Sequence, residues 1–348
     1  MKLNYLSTAV LFFFLLVTTS SLKADEIFKK EISKNFTTTA TTLVDIQNKF
    51  GDVKVENHDA NQVLIKVVIS VEADDQGDAD DFFKKITINF SESTDLVKAV
   101  TEMSGNLNGE FSIDYVVTLP KNYSLNIKNK FGGIIVGEHT GKVNFDVSYG
   151  SLQINALMCE DTRPRSEITL AYSDNCHIGN ATWLKLNASY SDISIQNCKA
   201  LILVSKYSEF NFGNIEALVS EAKYDEYTIA KVGKIVVNAA YTDFKIAEVT
   251  TKLEFVITYG DLQIDFMPAT FQAFDIDAKY TDIRATVAQS LSYKLDIQGQ
   301  YTDISVPNNN FSREEEVTKE HVYGTTGSNP SAIINMIVQY GDVELSTK

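Results

Sequence analysis

Residues 184–246 read LKLNASYSDISIQNCKALILVSKYSEFNFGNIEALVSEAKYDEYTIAKVGKIVVNAAYTDFKI. At Tyr190, Tyr207, Tyr224 and Tyr241, each 17 residues from the last, a tyrosine precedes a small or acidic residue and then an acid. With the tyrosine as position zero, positions −6 and −4 are apolar, as in Leu184 and Leu186 or Ile235 and Val237. Positions +3 and +5 are apolar again, as in Ile193 and Ile195 or Phe244 and Ile246. Alternation on both sides of the motif means two short strands with side chains pointing in and out by turns. The in-phase set −6, −4, −2, 0 changes parity at +3, so the chain bends at +1 and +2. Short polar residues suit such a bend because they bond nearby backbone N–H groups and tolerate unusual angles.

Outward from this stretch the same unit recurs at Phe50, Phe131, Tyr149, Tyr172, Tyr259, Tyr280, Tyr301 and Tyr340. From Phe131 to Tyr301 the steps are 18, 23, 18, 17, 17, 17, 18, 21 and 21. Four inner positions over twelve copies make 48 slots, of which 44 are apolar, against 21 expected from a 44% apolar composition. The exceptions are Ser166, Asn175, His177 and Ser220. At Tyr172 a one-residue bulge would turn Cys176 and Ile178 inward in place of Asn175 and His177. Position +1 is Gly, Ser or Thr except at Asp225, and +2 is Asp in eight copies.

Such a unit cannot bury its inner face alone, whereas stacked copies form a continuous core. The expected fold is all-β: a single-chain parallel β-solenoid of about twelve 17–21-residue coils. At about 4.8 Å per coil the rod is roughly 55–60 Å long. The five-residue returns leave no room for the crossover helices of an α/β enzyme. Parity also points the position-zero rings inward as a core ladder, with an outward, sugar-stacking ladder as the alternative.

Three segments break the period. Residues 56–124 hold strand-like runs (63–71, 86–90 and 111–119) and one short helix at 78–85, and read as a β-rich N-terminal cap over an open end. Residues 307–333 form an excursion before the last copy, and 155–165 a smaller loop. The expected organisation is a signal peptide at 1–24, the first coil plus cap insertion at 25–124, and the solenoid at 125–348.

The signal reading rests on Lys2, an apolar run at 6–17 with Phe12, Phe13 and Phe14, and Leu22-Lys23-Ala24 before Asp25. That run is too short to span a bilayer, and nothing later is apolar for long enough. No Cys follows it, which argues against a lipid anchor there. The expected location is therefore outside the cytoplasm: periplasm, outer-membrane surface or extracellular. Removing Lys2 and Lys23 leaves 29 basic against 46 acidic residues, a net of −17 compared with −15 for the whole chain. A surface so acidic repels phosphate backbones and argues against nucleic-acid binding. The odd cysteine count (Cys159, Cys176, Cys198) allows one bridge plus a buried thiol, or three inert thiols.

The acid-rich EADDQ at 72–76, the following helix, VTLPKNYSLNIKNKFGGIIV at 117–136, and the later YGDLQI and YGDVEL copies resemble the bacterial "putative adhesin" family, the head GIN domain and its relatives. The likeness covers nearly all of the chain beyond the signal. It implies a β-helical cell-envelope protein, with an adhesin label inferred from shape.

Among candidate sites, Asp174, Asp192, Asp243, Asp261, Asp282 and Asp303, with Glu209 and Glu226, should form a column along one edge. Like charges one strand apart repel unless hydrogen-bonded or bridged, so a Ca²⁺-binding edge is one reading and turn-capping carboxylates the favoured one. On the outward positions −5 and −3, Ile202, Val204, Val219, Val236 and Val256 break the polar rule on neighbouring coils. They form an apolar patch that marks a partner or dimer contact, unless an insertion folds over it. No Ser/His/Asp or HExxH arrangement appears among His58, His139, His177, His321 and their surroundings. Arg163, Arg165 and Arg284 near Asp161 and Asp282 keep a carbohydrate-active β-helix enzyme (lyase or hydrolase) as the alternative. No resident cofactor is expected. The reading is a non-catalytic envelope or surface scaffold, with a protein or glycan partner and homo-oligomers in view.

Overall fold

The computed structural model describes residues 26–39, 41–159, 166–307 and 311–348. The expected signal segment at 1–24, and Asp161, Arg163 and Arg165, lie outside these. Twenty-four strands form one continuous sheet wound into a parallel β-solenoid, and the described residues hold a single helix, Gln76–Phe83. Strands Asp192–Lys206, Glu209–Lys223 and Glu226–Ala240 pair in parallel register as successive rungs. On the first of these, Ile193, Ile195, Cys198, Leu201 and Leu203 are buried. The spacing of two lengthens to three on either side of Cys198, and those intervals are the corners that give each rung three short sides. At Tyr172 the bulge is present: Cys176 and Ile178 are buried, while Asn175, with φ 50°, and His177 are exposed.

The rings do not point inward. All twelve position-zero aromatics have φ between 52° and 62°, and ten tyrosines and Phe131 are 40–53% exposed. Parity assumes strand geometry throughout, but a left-handed residue throws its side chain to the other side of the chain. The small residue at +1 fills the inside of the corner instead: Ser173, Ser191, Ser208, Thr242 and Thr281 are buried. The rings stack on one another outside the corner, at centroid distances of 4.8–5.3 Å. The pitch of a parallel sheet thus falls within the aromatic stacking range. A left-handed L-residue costs about 1–2 kcal/mol, and contacts to both neighbouring rings offset that cost.

This balance predicts an unusual order of stabilities. Tyr224→Ala loses two ring contacts, about 1–3 kcal/mol, and keeps the strained backbone. Tyr224→Gly loses the same contacts and relieves about 1 kcal/mol of strain. Urea midpoints should fall in the order Tyr, Gly, Ala. An alanine variant more stable than the glycine one would contradict a strained corner.

Backbone groups at the corner are satisfied in two ways. At four consecutive corners the Ser, Thr or Asp side chain at +1 accepts the +1 N–H of the preceding rung. Ser191 Oγ, Ser208 Oγ, Asp225 Oδ1 and Thr242 Oγ1 accept from Ser173, Ser191, Ser208 and Asp225 N at 2.8–3.3 Å. Where +1 is Gly, the backbones approach more closely, so that a Cβ on Gly260 would lie 2.1 Å from Thr242 O. At three of these corners the preceding rung's +2 carboxylate takes the next +2 N–H. Asp52 accepts from Gly133 N at 2.7 Å, Asp243 from Asp261 N at 2.9 Å and Asp282 from Asp342 N at 3.0 Å.

Among the twelve aromatic-led copies the rungs stack in chain order with one exception. Strand Ala332–Gln339 lies between Ala273–Val287 and Tyr293–Gln300, parallel to both, and Tyr340 stacks between Tyr280 and Tyr301. The last rung in sequence is therefore the second to last in space.

Both ends close with antiparallel strands. Leu96–Met103 and Phe111–Leu119 continue the parallel stack over Leu43–Lys49 and Val53–Asn57. Ile86–Ser93 and Gln62–Ala73 then pair antiparallel to them, and Glu26–Thr37 covers Gln62–Ala73. The cap thus contains the expected runs and helix, together with strands at Glu26–Thr37 and Leu96–Met103 that the apolar pattern did not show. At the other end, hairpin Ser312–Glu315/Lys319–Thr325 pairs antiparallel to Tyr293–Gln300. Lys29, Lys30 and Lys34 on the outermost strand discourage further edge pairing.

Candidate functional site

The carboxylate column exists and is longer than the sequence suggested. Asp192, Glu209, Glu226 and Asp243 are neighbours in register, Asp261 lies beside Asp282, and Asp342 enters between Asp282 and Asp303 through the rung exchange. With Asp174 this makes nine consecutive acidic rungs. Asp174, Asp192, Asp243, Asp261 and Asp303 are exposed and Asp282 partly so. Asp243, Asp282 and Asp342 each accept a backbone N–H from the following rung. That differs from capping within one turn: the carboxylate joins two rungs. One rung apart along a straight edge, the acids form a row, and no three His, Cys, Asp or Glu groups converge to suit a metal ion among the described residues.

The stacked rings present edges and hydroxyls to solvent, because each face is covered by the next ring. Sugar recognition through ring faces is therefore closed along the ladder. A groove of about 500 Å³ runs beside it, between Tyr149, Tyr172 and Tyr190 and the acids Asp174 and Asp192, and one of about 460 Å³ lies on the other side of those acids, over His177, Ser194 and Asn211.

The outward apolar patch stays uncovered. Val204 is 41% exposed, Val219 48%, Val236 37% and Val256 51%, with Ile202 partly exposed. Both insertions seal the ends of the rod, so neither folds over this face. Ile202, Val219 and Val236 are direct neighbours on successive rungs, with Val204 and Val256 diagonal to them. Trp183, the chain's single tryptophan, is partly exposed two positions before Lys185 on the same face, beside Ala200. The alternation rule did not single it out because −7 lies at a corner. A groove of about 560 Å³ runs beside the patch, over Ala188, Ser205, Ala222 and Ala239. Those four small residues occupy −2, where other rungs carry Val147, Leu170 or Ile257.

Buried ionisable groups serve the core. Asp225, the exception at +1, accepts hydrogen bonds from Ser205 Oγ, Ser208 N and Lys223 N at 2.8–2.9 Å. Burial still pushes the pKa of its carboxyl upward, and likewise that of the Tyr227 phenol beside it. The three cysteines are buried and no disulfide joins them, which removes the bridge alternative. Burial pushes the Cys176 and Cys198 thiols up to about 12, so neither supplies thiolate at neutral pH. His177, the basic neighbour of Cys176 in sequence, faces outward onto Ser194 Oγ at 2.9 Å. Arg284 reaches Asp282 at 3.6 Å on the surface, a contact that any acidic solenoid can supply.

A capped parallel solenoid with a stacked aromatic corner and a bonded acidic edge is thus the class of protein that the fold defines. The Toastrack DUF4097 family model matches residues 41–346, and the chain belongs to that family. Among solved structures, one titled a "putative adhesin" from Parabacteroides merdae is 12% identical with a TM-score of 0.32, covering 91% of this chain and 96% of its own. A "putative cell adhesion protein" from Clostridium sporogenes is 12% identical with a TM-score of 0.21, covering 92% and 100%. Another "putative adhesin", from Parabacteroides distasonis, is 9% identical with a TM-score of 0.32, covering 91% and 97%. At these values the likeness carries nothing about binding or activity. A comparison with curated proteins finds no match. No helix among the described residues is long and apolar enough to cross a membrane.

Proposed function

We propose that the chain is an exported, non-catalytic scaffold of the bacterial envelope or cell surface, which holds its side faces at fixed spacing for a protein or glycan partner. The observation that carries this reading is the unbroken ladder of twelve stacked rings. It ties every rung to its neighbours from outside while the aliphatic core ties them from within. A rod built this way resists bending and offers flat faces. The acids that enzymes use for acid–base work are here partly engaged in joining rungs. The export segment read from residues 2–24 supports the location.

The test is binding of the purified chain, without residues 1–25, to whole cells, immobilised glycans and envelope fractions. Retention on one of these is the expected result, and indifference to all three would remove the scaffold reading. Release of reducing ends from uronate polymers would replace it with the enzyme alternative.

A further inference from the structure

The outward face at positions −7 to −1 carries its charge unevenly along the rod. Toward the N-terminal end lie Lys185 and, on the first rung of the apolar column, Lys206; toward the C-terminal end lie Asp275, Asp277 and, on the last rung of that column, Glu254. Glu167, bonded to Lys185 at 2.7 Å, Lys252, bonded to Glu254 at 2.9 Å, and Lys279 soften the contrast without reversing it. Between the two ends sit Ile202, Val204, Val219, Val236 and Val256, with Glu221, Lys223 and Lys234 beside them on the two central rungs. An isologous contact needs a surface complementary to itself under a two-fold rotation, and this one has that property.

We propose that this face binds a second copy of the chain, the two rods running antiparallel. The two-fold axis lies in the interface, parallel to the strands, between the Tyr224 and Tyr241 rungs. Rotation about it keeps each position along the strand and inverts the order of the rungs. Val219 then meets the second copy's Val236, and Val204 meets its Val256, while Ile202 falls opposite its Glu254. Lys185 meets its Asp275, and Trp183 lies over its Ala273, a residue small enough to receive an indole.

An axis along the rod would instead set each rung against itself, Asp275 and Asp277 included, and like charges at that distance disfavour the contact. The charge pattern therefore selects the antiparallel arrangement. Seven positions by eight rungs give a face of about 20 Å by about 38 Å. That is close to the roughly 800 Å² per partner of a stable interface, and two sheets pack face to face within about 30° of alignment.

Sedimentation velocity and Trp183 fluorescence of the chain without residues 1–25 test the proposal. The expected result is a two-copy species whose Trp183 is shielded from acrylamide. Val219→Asp should give a single-copy species with an unchanged circular dichroism spectrum and an accessible Trp183. Lys185→Glu and Asp275→Lys should each weaken association about tenfold, and together restore it. The charge-swapped pair keeps the test decisive if Val219→Asp fails to fold. A single-copy wild type at about 0.1 mM would overturn the proposal. So would a dimer indifferent to Val219→Asp, or a double reversal that recovers nothing.

Discussion

Removing residues 328–348 is expected to destroy the cooperative unfolding of the C-terminal part of the rod, because that segment supplies an internal rung. Strand Ala332–Gln339 pairs on one side with Ala273–Lys279 and on the other with Tyr293–Gln300. Ala332, Ile334, Met336, Val338, Val343 and Leu345 are all buried. At about 1.5–3 kcal/mol for each large aliphatic, their gross contribution rivals the 5–15 kcal/mol that usually separates folded from unfolded. Removal also strands the Tyr301 rung and the hairpin that seals it. A longer truncation, at residue 288, removes those elements together and leaves a single open end. The shorter deletion should therefore be the more damaging per residue lost, with its urea transition broadened and its midpoint lowered further. Cysteine pairs report the order directly. Lys279 and Gln339 are register partners, as are Gln339 and Gln300, so Lys279→Cys with Gln339→Cys should oxidise to a disulfide. Lys279→Cys with Gln300→Cys should not, because two rungs separate those Cα atoms by about 9–10 Å, beyond disulfide reach. Bridging of the second pair in place of the first would return the rungs to chain order.

That exchange shows where sequence reading ends. The rungs themselves were legible because every copy repeats one set of contacts, which fixes its apolar slots independently of all the others. Which copy lies on which is decided between equivalent edges. Tyr301 and Tyr340 carry the same inner pattern, and nothing in either copy says which is outermost. The steps of 21 residues into Tyr280 and Tyr301, against 17 or 18 between Tyr172 and Tyr259, and the 39 residues from Tyr301 to Tyr340 are the traces left in the sequence.

The outward turn of the rings failed for a different reason. Counting by parity is valid only while the backbone stays extended, and the aromatic itself holds the left-handed angle. The uniformly small +1 residue was the available sign, since only a small side chain fits inside the corner. The cap strand Leu96–Met103 was missed because Lys98, Thr101 and Glu102 interrupt its apolar residues; parallel pairing to Leu43–Lys49 forms it. The valine patch, by contrast, was visible as a breach of alternation, and the structure leaves it in solvent.

His139 should make the protein markedly less stable between pH 6.5 and pH 4. Its side chain is fully buried at the end of strand Ile134–His139, and Nε2 donates to Tyr123 O at 2.7 Å. Nδ1 then carries the lone pair and has no hydrogen-bond partner among the described residues. A second proton would put a charge into the core with nothing to receive its N–H, so burial drives the pKa from 6.5 down to about 4. Above pH 6.5 the ring is neutral in the folded and unfolded chain alike, and the full stability is present. As the pH falls below 6.5 the unfolded chain binds a proton that the folded one refuses, and stability drops. Below about 4 both forms are protonated and the loss levels off near 3 kcal/mol, from roughly 2.5 pKa units at 1.36 kcal/mol each. Carboxylates titrate in the lower part of the same window, so the informative quantity is a difference between two proteins. His139→Leu keeps an apolar group in the site and leaves Tyr123 O without its donor, a cost of about 1–3 kcal/mol that does not vary with pH. Urea unfolding at pH 7.5 and at pH 4.5 should show the wild type losing about 2–3 kcal/mol more than the variant. Equal losses in the two proteins would mean that His139 is already charged, or already reached by solvent, in the folded rod.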